Sequence, residues 1–318
     1  MKLCAFGELL IDVAPYGVSD RGFPIYEFNP GGAPANVAVA VCNLGLSASF
    51  IGQVGNDYFG LFLKNILEDK KVETDGLLLS DKYSTSLAIV SLKEDGERSF
   101  SFYRKHNADV MVEINDRFKR KIDEADIFHF GSVSMSEEIC RKTSFELLEY
   151  AKKQSKLISY DPNLRPLLWD GLDEAKSVIL KGFEYADIVK VSEDELSFLT
   201  ENDNYEEACR LLSKQYPFKL LLVTFGAQGC AYFYKDKYAS IPSFVVASVD
   251  TTGAGDGFFG AILAQLMNGN MNIDNLNSSD LEELCLYANA CGAHATTQKG
   301  AIGSLAYPSD VEKYRVIK

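Results

Sequence analysis

The chain has 318 residues, 47% of them hydrophobic, with 32 Lys and Arg against 45 Asp and Glu, a formal net charge of −13. Such a chain can bury a substantial core as one large domain over 1–318, and its acidity argues against a nucleic-acid surface while leaving room for a local cation cluster that holds anionic substrates. The first residues lack a basic stretch followed by a long apolar one, no apolar run reaches membrane-spanning length, and seven cysteines without a C-x-x-C read as reduced thiols; the expectation is a cytoplasmic protein with no membrane, zinc site or disulfide framework.

Short β-rich runs alternate with amphipathic segments, the order of a mostly parallel α/β sheet flanked by helices. The first predicted strand covers 3–11. Asp12 follows Leu9-Leu10-Ile11 and is read at the C-terminal edge of that strand, where open α/β sheets collect ligands; it either accepts hydroxyl hydrogen bonds or forms a turn. The stretch 15–30 breaks the alternation with a β pattern. Next, Gly31-Gly32-Ala33-Pro34-Ala35-Asn36 opens a predicted helix over 34–44 made of small apolar residues on nearly every face, and therefore buried. Pro34 suits a first turn, and the glycine pair permits close approach from outside. Asn36 meets either a polyol or neighbouring backbone.

A strand over 48–54 and a helix over 59–70 follow, and then 85–104 breaks the alternation again, with Ser99-Phe100-Ser101-Phe102 after the turn-forming Asp95-Gly96. Together 15–30 and 85–104 are expected to form a small β lid over one edge of the sheet, with an apolar face that pairs two copies into a homodimer. Strands are predicted over 126–130, 157–160, 187–191 and 220–224, with helices over 137–153, 173–182 and 205–215 between them.

The most informative run is Asp250-Thr251-Thr252-Gly253-Ala254-Gly255-Asp256-Gly257, directly before the apolar stretch 258–267. Interleaved glycines let backbone N–H groups converge, and the following helix adds partial positive charge, so an anion belongs there. Asp256 would repel a bound phosphate but serves well as a general base toward an attacking hydroxyl, which points to phosphoryl transfer. The plain alternative makes Asp250 and Asp256 helix-capping residues. Gly255, Gly257 and Gly260 also fit the dinucleotide pattern G-x-G-x-x-G, with Asp274 about twenty residues on, but a polar loop and a second helical stretch follow where a βαβ unit is needed.

Both glycine regions resemble the signatures of the PfkB family of ribokinase-like sugar kinases. Ordered landmarks agree over nearly the whole chain: Gly52-Gln53-Val54-Gly55-Asn56-Asp57, Asp161-Pro162-Asn163-Leu164-Arg165, Thr224-Phe225-Gly226-Ala227-Gln228-Gly229 and Asn289-Ala290-Cys291-Gly292-Ala293. Within the family, Gly32-Ala33-Pro34-Ala35-Asn36-Val37-Ala38 and Phe102-Tyr103-Arg104 are most similar to the fructokinases. The resemblance implies a ribokinase-like fold and transfer of the γ-phosphate of ATP to a primary hydroxyl of a hexose, fructose first. The alternatives are 2-keto-3-deoxygluconate, ribose or a nucleoside as acceptor, and a sugar sensor without chemistry, which the intact Asp256 and its glycines argue against.

The resemblance also implies roles. Asp256 matches the catalytic base, and Gly253, Ala254 and Gly255 the anion hole. Asp12, Gly31, Gly32 and Asn36 fall on the sugar side with Tyr103, Arg104 on the predicted lid strand, and Arg165. Lys190, Thr224, Gly226, Gly229, Asn289 and Gly292 fall beside ATP. Magnesium is expected because a triphosphate is too charged to approach a carboxylate base unscreened. Glu195 matches the acid that reaches it through water, although Ser192 stands where the family usually has Asn. Asp250, Thr252, Ala295, Gln298, Gly300 and Ser304 match a loop that binds a monovalent cation, potassium, mainly through backbone oxygens.

Overall fold

A computed structural model describes residues 1–92, 98–269 and 271–315, so the Asp95-Gly96 turn lies outside the described residues. The strands are β1 (Lys2–Phe6), β2 (Leu10–Val18), β3 (Pro24–Gly31), β4 (Ser47–Gly55), β5 (Leu77–Ser80), β6 (Leu87–Leu92), β7 (Arg98–Tyr103), β8 (Ile127–Gly131), β9 (Leu157–Asp161), β10 (Ile188–Ser192), β11 (Leu220–Thr224), β12 (Gly229–Tyr234) and β13 (Lys237–Pro242). The helices are α1 (Ala33–Asn43), α2 (Tyr58–Asp69), α3 (Asp116–Asp123), α4 (Glu138–Lys153), α5 (Leu172–Phe183), α6 (Glu193–Thr200), α7 (Tyr205–Gln215), α8 (Ala254–Met267), α9 (Ser278–Ala295) and α10 (Pro308–Arg315).

Nine strands form the main sheet in the order β13-β12-β11-β10-β9-β8-β1-β4-β5, parallel from β11 to β5 and antiparallel at β12 and β13. The central strands are mostly apolar and buried on both faces, as in Ile127-Phe128-His129-Phe130, because helices cover both sides. One face packs α1, α8 and α9 with small and aliphatic side chains; the other is rich in aromatic rings, with Phe130 stacked on Tyr160 at 4.1 Å between centroids. β5, β12, β13, α3, α6 and α10 go beyond the elements predicted.

The predicted strand 3–11 is in fact two. It breaks at Gly7-Glu8-Leu9, where the start of α1 presses against the chain: a Cβ on Gly32 would stand 2.3 Å from the Glu8 carbonyl oxygen, and one on Gly7 2.5 Å from the Pro34 ring. The buried Glu8 carboxylate fastens this break, accepting from the Ala33 N–H at 3.1 Å and the Ser134 hydroxyl at 3.0 Å. β2 then leaves the main sheet for a second one, β3-β2-β6-β7, which is the lid. Its first half therefore begins at Leu10 rather than at Pro15 and runs to Gly31, and β2 pairs with β3 antiparallel and with β6 parallel.

Candidate active site

The site forms where the first turns of α1 and α8 meet. Gly32 (φ 122) precedes α1 and Gly253 (φ 80) precedes α8, both in backbone conformations that favour glycine. The two helices touch at Gly260, where an added Cβ would stand 2.5 Å from the Ala40 Cβ. One turn N-terminal to this contact in each helix lie Asn36 and Asp256, and the Asn36 Nδ2 donates to the Asp256 Oδ2 at 2.7 Å. The small residues at the crossing thus set the separation of the polar pair. Asn36 is 4% exposed and its Oδ1 has no partner among the described residues, so its amide serves Asp256 and keeps one acceptor for something else.

Loss of solvation raises the Asp256 pKa to about 6, the nearby Asp161 adds to this, and the Asn36 bond, Lys190 and Arg165 oppose it. Of the three amides expected as an anion hole, that of Ala254 turns to the Thr251 carbonyl at 3.2 Å, a departure that follows from the tight turn into α8. The N–H groups of Gly253 and Gly255 meet no acceptor among the described residues. The Lys190 ammonium closes the other side: it bonds the Asp161 Oδ2 at 2.8 Å and lies 3.1 Å from where a Cβ on Gly255 would be. Burial alone would lower the Lys190 pKa, but Asp161 and Glu195 outweigh it, so the cation is kept. Asp161 went unassigned in the sequence although it ends a strand just before Pro162-Asn163, the same signal that singled out Arg165; its Oδ1 is buried without a partner among the described residues.

Asp12 needs correction in its position. It lies on lid strand β2 opposite Asn29, not at the edge of the main sheet, because the chain turns off at Glu8. Its Oδ2 would stand 2.2 Å from a Cβ on Gly31, so glycine is what admits the carboxylate there. Burial raises the Asp12 pKa to about 6; Arg165 pulls it down, while Asp256 and Asp250 push it up, which puts these charges around one cleft. Arg104 directly follows the end of lid strand β7 and is 4% exposed. Its Nε donates to the Asp109 Oδ2 at 2.7 Å and its Nη1 to the Val133 carbonyl and Ser136 hydroxyl, both at 3.1 Å; Nη2 is buried without a partner among the described residues. Tyr103 is 60% exposed on the lid, and the exposed Arg165 donates to the Leu164 carbonyl at 3.2 Å.

Across the cleft, Thr224 ends β11, and Gly226 (φ 52) and Gly229 (φ 110) make the turn into β12. A Cβ on Gly229 would stand 2.2 Å from the Ile241 carbonyl oxygen. The Asn289 Nδ2 donates to the Ile241 and Pro242 carbonyls, both at 3.1 Å, and Gly292 lets α9 approach the Ala254 carbonyl. Glu195 accepts from the Leu164 N–H at 2.6 Å and the Ser192 N–H at 2.8 Å, while the Ser192 hydroxyl accepts from the Glu195 N–H at 3.2 Å. Ser192 is thus the N-cap of α6 in a capping box, which accounts for a hydroxyl at that position.

The remaining loop wraps the entry to α8. The Asp250 carboxylate accepts from the Thr252 N–H at 3.0 Å, the Thr252 hydroxyl at 2.7 Å and the Gly300 N–H at 3.1 Å, tying the α8 turn to the segment after α9. Ser304 is buried with its hydroxyl on the Ala301 carbonyl at 2.8 Å, Ala295 is buried at the end of α9, and Gln298 is exposed.

Comparison with known proteins agrees with this arrangement. The profile of the pfkB family carbohydrate kinases matches residues 1–307. Fructokinase-1 of Zea mays is 45% identical over 316 residues, which cover 99% of this chain and 97% of the relative. Among solved structures, the fructokinase from Xylella fastidiosa with bound ATP has a TM-score of 0.91 at 32% identity, covering 100% of this chain and 99% of the other. The fructokinase from Vibrio cholerae O395 in its fructose, ADP and calcium ion bound form has a TM-score of 0.87 at 32% identity, covering 98% of each chain.

Proposed function

The chain belongs to the pfkB family of carbohydrate kinases, and we propose that it transfers the γ-phosphate of ATP to a primary hydroxyl of a hexose, fructose above all. The observation that carries this is the 2.7 Å bond from Asn36 to Asp256 at the mouth of two unoccupied amides. Asp256 takes the proton of the attacking hydroxyl, and the Gly253 and Gly255 N–H groups with Lys190 hold the charge that develops on the transferred group. Asp12, the Asn36 Oδ1 and Arg104 hold the sugar, with Gly31 and Gly32 leaving room for it and Tyr103 and Arg165 at its rim. ATP lies along Thr224, Gly226 and Gly229, with Asn289 and Gly292 positioning the adenine side.

Magnesium, when bound with ATP, offsets the charge of the triphosphate. The residues suit it: no three His, Cys, Asp or Glu side chains form a cage among the described residues, and the orphaned Asp161 Oδ1 beside Glu195 leaves an acceptor for an ion carried on its own waters and the nucleotide. The loop of Asp250, Thr252, Ala295, Gln298, Gly300 and Ser304 is proposed for potassium. The chain acts as one kinase domain of the cytoplasm, a location supported by its seven free cysteines. Its lid exposes Tyr16, Val18, Phe23 and Phe28, each 48% or more, and we assign this face to a homodimer. The acceptor is tested by turnover of fructose, glucose, ribose and 2-keto-3-deoxygluconate side by side with ATP and magnesium. Fructose is expected to give the highest kcat/KM; turnover of the acidic keto-sugar with none of fructose overturns the assignment.

A further inference from the structure

The outer end of the main sheet is open. β5 is its last strand, and the Ser80 carbonyl turns inward to the Asn56 N–H at 2.7 Å. Because backbone groups alternate with a two-residue period, the N–H and C=O of Leu79 face outward. A hollow of about 630 Å³ straddles this edge, from Lys64 and Glu68 on α2 past Leu77 and Leu79 to Arg117 and Arg120 on α3. Another of about 670 Å³ lies on the Leu78 face and takes in Lys82, Tyr83, Met111 and again Arg117. A strand laid beside β5 would therefore find space on both of its faces.

Cations slightly outnumber acids along the two hollows, against the balance of the chain as a whole. On a protein of net charge −13, Arg117 and Arg120 lie one turn apart with no carboxylate partner among the described residues. Of the acids lining the two hollows, Glu68 is engaged with the Thr74 hydroxyl at 2.6 Å and Asp75 with Lys121 at 2.8 Å, while Glu113 lies in the Leu78 hollow with Lys82 and Arg117. We propose that this edge receives an extended acidic segment of another protein as an added strand. Its backbone bonds to Leu79, its carboxylates meet Arg117 and Arg120, and its alternate apolar side chains enter the hollow beside Leu78 and Met111.

The test uses the full chain and a fluorescent decapeptide of alternating Glu and Val, read by anisotropy. Saturable binding is expected for this peptide and none for its Lys-Val counterpart. The double variant Arg117→Glu with Arg120→Glu, and separately a peptide N-methylated at alternate amides, should each weaken binding by about tenfold or more, while fructose turnover of the variant stays at the parent level. The N-methylated peptide keeps the strand contact testable without altering the protein. Absence of binding by the parent, equal binding of the N-methylated peptide, which would reduce the edge to a small-anion site, or dissociation of a parent dimer by the double variant, which would give the edge to a second copy, each overturns the proposal.

Discussion

Asp256 works against stability while serving the reaction. Its carboxyl, ordinarily at 3.8, sits at about 6 in the folded protein, so the fold binds its proton more tightly than the unfolded chain does. The resulting loss of stability is absent below about pH 4, grows as the pH rises toward 6 and is complete above it. Asp256→Asn keeps an acceptor for Asn36 and removes that penalty. We expect turnover to fall by at least about a hundredfold, and Tm at pH 7 to rise by about 2 °C, with the gain gone at pH 4. Equal Tm values at pH 7 would contradict the burial argument even if turnover were lost. Asp12 also sits at about 6, so kcat/KM should drop on the acid side with a limiting slope of two protons, reduced to one in Asp12→Asn. At this scale Asp256 and its glycines were legible because such a dense glycine run has few other uses. The surroundings of Arg104 were not legible, since no pattern in the chain announces its buried bond to Asp109.

At the scale of elements, the crossing of α1 and α8 governs the polar pair one turn away. Gly260→Ala would drive a methyl group into the Ala40 Cβ, force the helices apart and stretch the bond from Asn36 to Asp256. We expect a loss of about 1–3 kcal/mol in denaturant unfolding and a larger fall in kcat than in affinity for ATP. Ser192→Ala removes the cap of α6 and should lower stability by about 1 kcal/mol, which Ser192→Asn restores. Most strands and helices of the core could be read from the sequence, because an apolar run flanked by polar turns admits few other forms. The first strand could not: Leu3 to Phe6 and Leu9 to Ile11 read as one strand across Gly7-Glu8, and the packing of Gly32 and Pro34 against this stretch divides it. The short edge strand β5 carried too few residues to show a period.

At the scale of the molecule, the proposed sugar contacts are split between two sheets, with Asp12 on the lid and Asn36 and Asp256 on the helices of the main body. Fructose should therefore fasten one sheet to the other. Hydrogen exchange of the β2 and β6 amides is expected to slow when fructose is added, and ATP alone to leave them unchanged. Sedimentation at micromolar concentration should give a dimer, and Tyr16→Asp with Phe28→Asp a monomer. One further consequence follows from Glu8. Two helices open onto the same cleft, and each brings about half a positive charge at its first turn. The buried Glu8 carboxylate already lies against the α1 end through the Ala33 N–H, whereas the α8 end keeps open amides. The backbone of the cleft thus has a polarity: the amides left open for an anion lie at the α8 end, whereas at the α1 end the Ala33 amide is already taken by Glu8.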